Sequence, residues 1–279
     1  MTNITDTRIA LVGYGNIARS LLTGLLATTP EATRISVSNP TADKFTELNQ
    51  KNNRLRTYTS NVQAVENATL VILCVKPNMI QTVCAEIKHL LIKQTTILIS
   101  VAAGVSVDLL QQWTSEALPI IRCMPNTPSA VGCGITALYA NQCADTEHKK
   151  ITADIFATVG ATVWLNDEQD MHVVTALSGS GPAYFFRFTE ALAKAAQHSG
   201  CSTEIAQRLA LQTLYGAANL AVQSDSSLAT LREQITSKGG VTEQGLKALE
   251  QVDIDQIAHT VLTKASARSI EISQQLEDK

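Results

Sequence analysis

Three short runs set the tightest limit on how this chain folds. LVILCV (70–75), TILISV (96–101) and IIRCM (120–124) are apolar at nearly every position and rich in β-branched residues. A strand with one face in water alternates apolar and polar residues. A strand without that alternation is covered on both faces, the condition of a parallel sheet between two layers of helices. RIALVG (8–13), RISVSN (34–39) and ATVWL (161–165) extend the sheet, and amphipathic stretches such as NIARSLLTGLLATT (16–29) alternate with the strands. This is the pattern of an α/β domain.

After residue 165 the pattern changes. DEQDMHVVTALSG, PAYFFRFTEALAKAAQHSG, CSTEIAQRLALQTLYGAANLAVQS and DIDQIAHTVLTKASARSIEISQQLE carry helical periodicity and little strand signal. The expected organisation is two domains, 1–165 α/β and 166–279 all-α. LALQTLYGAANLAV is apolar on most of its faces, more surface than one small helical unit can cover. A homodimer, or a higher homo-oligomer of dimers, built through this half is therefore expected.

VGYGNIA follows the first predicted strand and opens the first predicted helix. In a dinucleotide loop Gly13 makes the tight turn and Gly15 lets a pyrophosphate approach the backbone. Asn16 and Ile17 begin the helix, and Ala18 is small enough for helix–strand packing. In this context the motif predicts a Rossmann-like, dinucleotide-binding N-terminal domain with a parallel-type sheet. The competing reading is a βα turn whose glycines serve geometry alone. NAD enzymes place an acid about 20 residues past such a loop, on the ribose 2′-hydroxyl. Here that place holds Ser38 and Asn39, both neutral, which favours NADPH with NADH as the second candidate.

Ligands of such sheets sit at the strand C-termini. Three further strand ends are therefore candidate cofactor contacts: CVKP with Val75, Lys76 and Pro77; SVAAGV with Ala102, Ala103 and Gly104; and RCMPNTP with Met124, Asn126 and Thr127. In the helical half, TSKGGVTEQGL (236–246) interrupts the periodicity with two glycines. They either separate two helices or expose fresh N–H groups for a small anion at Gly239, Gly240, Val241 and Thr242. SGSGPAY (178–184) has Pro182 at a helix start, with Gly181 or Ser180 as cap; Ser178 and Ser180 are candidate substrate contacts beside a junction role.

Composition narrows the partners. The net charge is −3, with no basic tract, so nucleic acid is not an expected partner. No apolar run reaches the roughly 18 residues of a membrane span, and the polar start does not resemble a signal peptide. The six cysteines form no C-x-x-C pair, so no metal site is expected and a cytoplasmic location is.

Taken in order, GYGNIA, CVKP, SVAAGV, RCMPNTP, ALSGSGPAY and TSKGGVTEQGL resemble the Δ1-pyrroline-5-carboxylate reductases across essentially the whole chain. The resemblance implies a Rossmann domain followed by an all-α C-terminal dimerisation domain that interlocks two subunits, with the substrate site between partners. It implies NAD(P)H-dependent reduction of a cyclic imino acid to L-proline, the last step of proline biosynthesis. It adds Asn61, after the YTS strand end, to the adenosine contacts. It also resolves the glycine pair toward anion capture: Gly240 caps the helix, the N–H groups of Val241, Thr242 and Glu243 hold the substrate carboxylate, the Thr242 hydroxyl meets the imine nitrogen as the catalytic residue, and the Glu243 side chain turns to solvent. This chain departs from the common motif at Lys238 and Val241. Two other readings share the sequence: a β-hydroxyacid-type dehydrogenase, for which Lys194 is the nearest catalytic lysine, and a dinucleotide sensor without catalysis.

Overall fold

The computed structural model describes residues 7–28, 34–46, 48, 55–94 and 96–278. The polar start of the chain and residue 29, the last of the first predicted helix, lie outside them. Eight strands among the described residues form one sheet: β1 (Ile9–Val12), β2 (Ile35–Ser38), β3 (Arg56–Tyr58), β4 (Leu70–Leu73), β5 (Ile97–Ser100), β6 (Ile120–Met124), β7 (Gly134–Ala140) and β8 (Gly160–Trp164). Their order is β3-β2-β1-β4-β5-β6-β7-β8. Neighbours run parallel, with Ile9 beside both Ile35 and Leu70. The β6–β7 pair alone is antiparallel, Cys123 opposite Leu138. The predicted parallel sheet thus carries one reversal, because the link from β6 to β7 is too short for a crossover helix.

Side chains alternate between the two faces, which explains the continuous apolar runs. Ile9, Leu11, Ile72 and Ile99 pack with Leu21, Leu22 and Leu25 of α1 (Asn16–Thr28) and with Ile155 and Phe156 of α5 (Thr146–Ala157). Ala10, Val12, Leu73 and Leu98 face the other way. They meet Val65 of α2 (Asn61–Val65), Val83, Ile87 and Leu91 of α3 (Ile80–Gln94), and Leu110 of α4 (Val107–Trp113). Each such aliphatic burial contributes about 1.5–3 kcal/mol before entropy is charged against it. The helix starts are capped locally: Ser106 accepts from Leu109 N–H, and Asp145 and His148 form a reciprocal capping box.

The chain divides into two compact units, Met1–Ser180 with Ala265–Lys279, and Gly181–Lys264. This differs from the boundary expected at 165/166. Helix α6 (Asp170–Val174) and a π-helical turn (Thr175–Gly179) stay with the sheet unit. They do so because Gly179 lies against Met124, and His172 Nδ1 is 3.0 Å from Ser269 Oγ on the returning last helix. Gly104, with φ of +79°, also faces that helix at Ile272 and Leu276.

The second unit is helical, as expected: α7 (Gly181–His198), α8 (Thr203–Gln223), α9 (Leu228–Gln234), α10 (Val241–Gln251) and the first part of α11 (Ile254–Glu277). α7 and α8 pack together across a turn at Gly200, where φ is +96°. Their buried residues are the small Gly181, Ala193 and Ala206, whereas Phe186, Leu211, Tyr215 and Val222 are exposed at 64, 64, 63 and 86 %.

Candidate functional site

The strand order reverses between β1 and β4, so their C-terminal ends open the crevice where ligands of doubly wound sheets bind. Gly13 N–H donates to Ser38 O at 3.0 Å and Cys74 N–H to Val12 O at 2.7 Å, which ties three strand ends together. Gly13 has φ of +95°, and a Cβ there would stand 2.8 Å from Val75 Cγ1. Both the backbone and the space demand glycine. A Cβ on Gly15 would meet nothing nearer than Cys74 O at 3.9 Å. Its open side leaves room for a ligand. The first i→i−4 bond of α1 runs from Arg19 N–H to Gly15 O at 3.0 Å. The N–H groups of Asn16, Ile17 and Ala18 therefore precede the helix ladder, and no acid stands in that first turn. These residues fit a pyrophosphate.

Two hollows flank the loop. One, of about 450 Å³, brings Gly13, Asn61 and Val75 together with Pro40, Met79, Thr82 and Glu86. The other, of about 280 Å³, joins Asn16, Ile17 and Arg19 to Thr127. Ser38 is fully buried and donates to Asn61 Oδ1 at 2.8 Å, and Asn61 Nδ2 donates to Glu86 Oε2 at 2.7 Å. Asn39 spends an amide hydrogen on Thr41 O at 3.0 Å. Lys76 is exposed at the head of the 3₁₀ turn Pro77–Met79. Ala102 is buried, with its N–H on Ser100 Oγ at 3.3 Å. Ala102, Ala103 and Gly104 line neither hollow. Sequence reasoning missed Glu86, which sits in the middle of a helix with no local signal to mark it.

The RCMPNTP segment is held from both ends. Arg122 and Glu168 form an inward ion pair at 2.7 Å, with side chains 5 and 17 % exposed, and Glu168 Oε1 also accepts Val107 N–H at 2.9 Å. Asn126 donates to Ser178 O at 3.1 Å and accepts from Ile135 N–H at 3.0 Å. Ser178 Oγ donates to Val174 O at 3.0 Å, and Ser180 N–H to Thr175 O at 2.9 Å. Asn126 and Ser178 are thus joined directly, and the π turn that carries Ser178 is the kind of irregularity that often marks functional sites. Met124 closes the contact, its Cε 2.8 Å from where a Cβ on Gly179 would stand.

In the second unit Gly240 is the N-cap of α10, as expected, and each glycine has its own reason. Gly239 has φ of +73°, while a Cβ on Gly240 would stand 2.3 Å from Ser237 Oγ. The helix ladder starts with Gln244 N–H on Gly240 O at 3.4 Å, so the N–H groups of Val241, Thr242 and Glu243 precede it. Thr242 is exposed. Glu243 does not turn away to solvent: its Oε2 accepts the N–H of Gly239, the residue before the N-cap, at 2.8 Å. That bond withdraws Gly239 N–H from the cradle and leaves the N–H groups of Val241, Thr242 and Glu243 as its open donors. Lys194, the candidate for dehydrogenase chemistry, is exposed and paired with Glu190 at 2.6 Å, one turn away on the same helix.

All six cysteines are free, and burial pushes Cys74 and Cys84 up to about 12. No helix among the described residues is long and apolar enough to cross a membrane.

Residues 168–272 match the family model described as pyrroline-5-carboxylate reductase dimerisation, and residues 8–104 match that of NADP oxidoreductase, coenzyme F420-dependent. The chain is 38 % identical to the pyrroline-5-carboxylate reductase of Pseudomonas aeruginosa, over 98 % of this chain and 99 % of that one. It is 40 % identical to the Pasteurella multocida enzyme of the same name, over 96 and 97 %. Among solved structures it is similar to a Coxiella burnetii pyrroline-5-carboxylate reductase, with TM-score 0.92 and 39 % identity over 96 % of this chain and 98 % of that one. It is also similar to a Plasmodium falciparum pyrroline carboxylate reductase with NADP bound, with TM-score 0.83 and 28 % identity over 97 and 100 %.

Proposed function

The chain belongs to the pyrroline-5-carboxylate reductase family, and on that premise we propose that it reduces Δ1-pyrroline-5-carboxylate to L-proline, the last step of proline biosynthesis, with NADPH as reductant and NADH as the second candidate. The observation that carries the residue-level reading is the start of α10. There, open N–H groups and a threonine hydroxyl stand together on a helix end whose dipole favours an anion.

Val241, Thr242 and Glu243 N–H hold the substrate carboxylate by charge-assisted hydrogen bonds, with about 0.3–1 kcal/mol more from the helix dipole. The Thr242 hydroxyl orients the ring nitrogen. It has no pKa near neutrality, so the proton that nitrogen gains comes ultimately from water. The nicotinamide, when bound, supplies the hydride to the imine carbon. Asn16, Ile17 and Ala18 N–H would hold the pyrophosphate, and Gly15 leaves the approach open. Asn61, held by the buried Ser38, would meet the adenosine ribose, and Asn126 keeps the Ser178 turn and the RCMPNTP strand end in register. Holding the imine and the cofactor in line can contribute about 7–11 kcal/mol, so no His or Cys catalytic pair is needed.

The exposed faces of α7 and α8 support a homodimer through the helical unit, and the free thiols suit a cytoplasmic enzyme. The exposed Lys194–Glu190 pair argues against a lysine-dependent dehydrogenase. The test is nicotinamide absorbance with the purified protein, NADPH against pyrroline-5-carboxylate and NADP against 3-hydroxyacids. Turnover of the imine alone is expected; turnover of the hydroxyacids alone would overturn the reading.

A further inference from the structure

The acid expected of an NAD site is missing from the tip of β2, where Ser38 and Asn39 stand. A carboxylate reaches that neighbourhood from elsewhere. Glu86, exposed on α3, accepts from Asn61 Nδ2 at 2.7 Å, and Asn61 Oδ1 accepts from Ser38 Oγ at 2.8 Å. A carboxylate only accepts, so Glu86 obliges Asn61 to present its NH₂ toward α3 and its oxygen toward β2. We propose that Glu86 is the residue that sets this enzyme's choice between a ribose 2′-phosphate and a 2′-hydroxyl.

The inference rests on the nucleotide reading of the β1–β4 crevice. Glu86 lines the same hollow of about 450 Å³ as Gly13, Pro40 and Asn61, at the end of the sheet where the adenosine ribose lies in folds of this winding. Among the described residues, no lysine or arginine lines that hollow. A 2′-phosphate entering it meets a like charge with no cation among those lining residues to offset it, and it competes with Glu86 for the Asn61 amide. A 2′-hydroxyl suffers neither effect and can donate to the carboxylate. Glu86 thus does from α3 what an acid at the tip of β2 does in NAD enzymes, and it holds the preference for NADPH below what neutral Ser38 and Asn39 would allow.

The direct test is calorimetric binding of 2′,5′-ADP and 5′-AMP to the full-length protein. Relative to wild type, Glu86→Gln should raise the 2′,5′-ADP to 5′-AMP affinity ratio about tenfold. Gln can still accept from Asn61, so this variant removes charge and keeps the contact. Glu86→Lys should raise the ratio further, and Glu86→Asp should leave it near wild type. This charge-graded order is one that a purely structural role would not produce. The NADPH to NADH ratio of kcat/KM should follow it, with the KM for the imine unchanged. If both fragments bind and the ratio stays constant across the variants, the role of Glu86 is wrong while the nucleotide site stands. If neither fragment binds wild type, the nucleotide reading itself falls.

Discussion

Thr242 and Gly13 represent two kinds of candidate, one chosen for chemistry and one for space. Thr242 is exposed and its backbone N–H precedes the helix ladder, so loss of its hydroxyl should not disturb the fold. Thr242→Ala should lower kcat at least tenfold, ~1.4 kcal/mol in the barrier, while NADPH affinity stays near wild type. A wild-type rate would remove the hydroxyl from the mechanism. Gly13 has no such freedom. Val in its place would meet Val75 and the Cys74 backbone at a positive φ. Gly13→Val should therefore abolish NADPH binding, read by quenching of protein fluorescence; retained affinity would place the pyrophosphate elsewhere. Gly13 was legible because a turn of positive φ between strand and helix leaves a local trace. Glu86 left none, because its meaning depends on a partner 25 positions away.

Among the elements, α6 and the π turn best show how packing decides what a segment does. His172 on α6 sits among Arg122 of β6, Glu168, and Ser269 and Glu277 of α11. Burial first, and then the Arg122 charge, hold its pKa below the ordinary 6.5, against an opposing pull from the two glutamates. As pH falls below 6.5 the unfolded chain takes up the proton before the folded chain does. Stability therefore declines from that point down to the folded pKa and is unaffected above it. His172→Gln should flatten this acid limb of a Tm-against-pH profile recorded between about pH 5 and 8. An unchanged slope would assign the acid sensitivity to other groups. The same packing explains why α6 belongs with the sheet unit rather than with the helices that follow, which its periodicity alone could not reveal.

At the scale of the assembled protein, the exposed stripe of α8 is the feature that a single chain leaves unanswered. Leu211 and Tyr215 lie one turn apart on one face, each more than 60 % exposed. Covering such a face yields about 1.5–3 kcal/mol per large apolar side chain, and a two-fold interface counts every change twice. The double substitution Leu211→Asp, Tyr215→Asp should raise the dimer Kd at least a hundredfold, about 2.8 kcal/mol, in sedimentation velocity. An undiminished dimer would show that the subunits meet through another surface.

Periodicity, glycine placement and capping act over a few residues, and they were enough to specify strands buried on both faces, the loop after β1, the cap of α10 and a helical second half. The antiparallel return of β7, the homing of the last helix to the sheet unit and the Ser38–Asn61–Glu86 and Asn126–Ser178 contacts came from folding in three dimensions. They join positions far apart in the chain, and a contact of that kind imposes no period or spacing on either partner, so it exists only once the elements have packed.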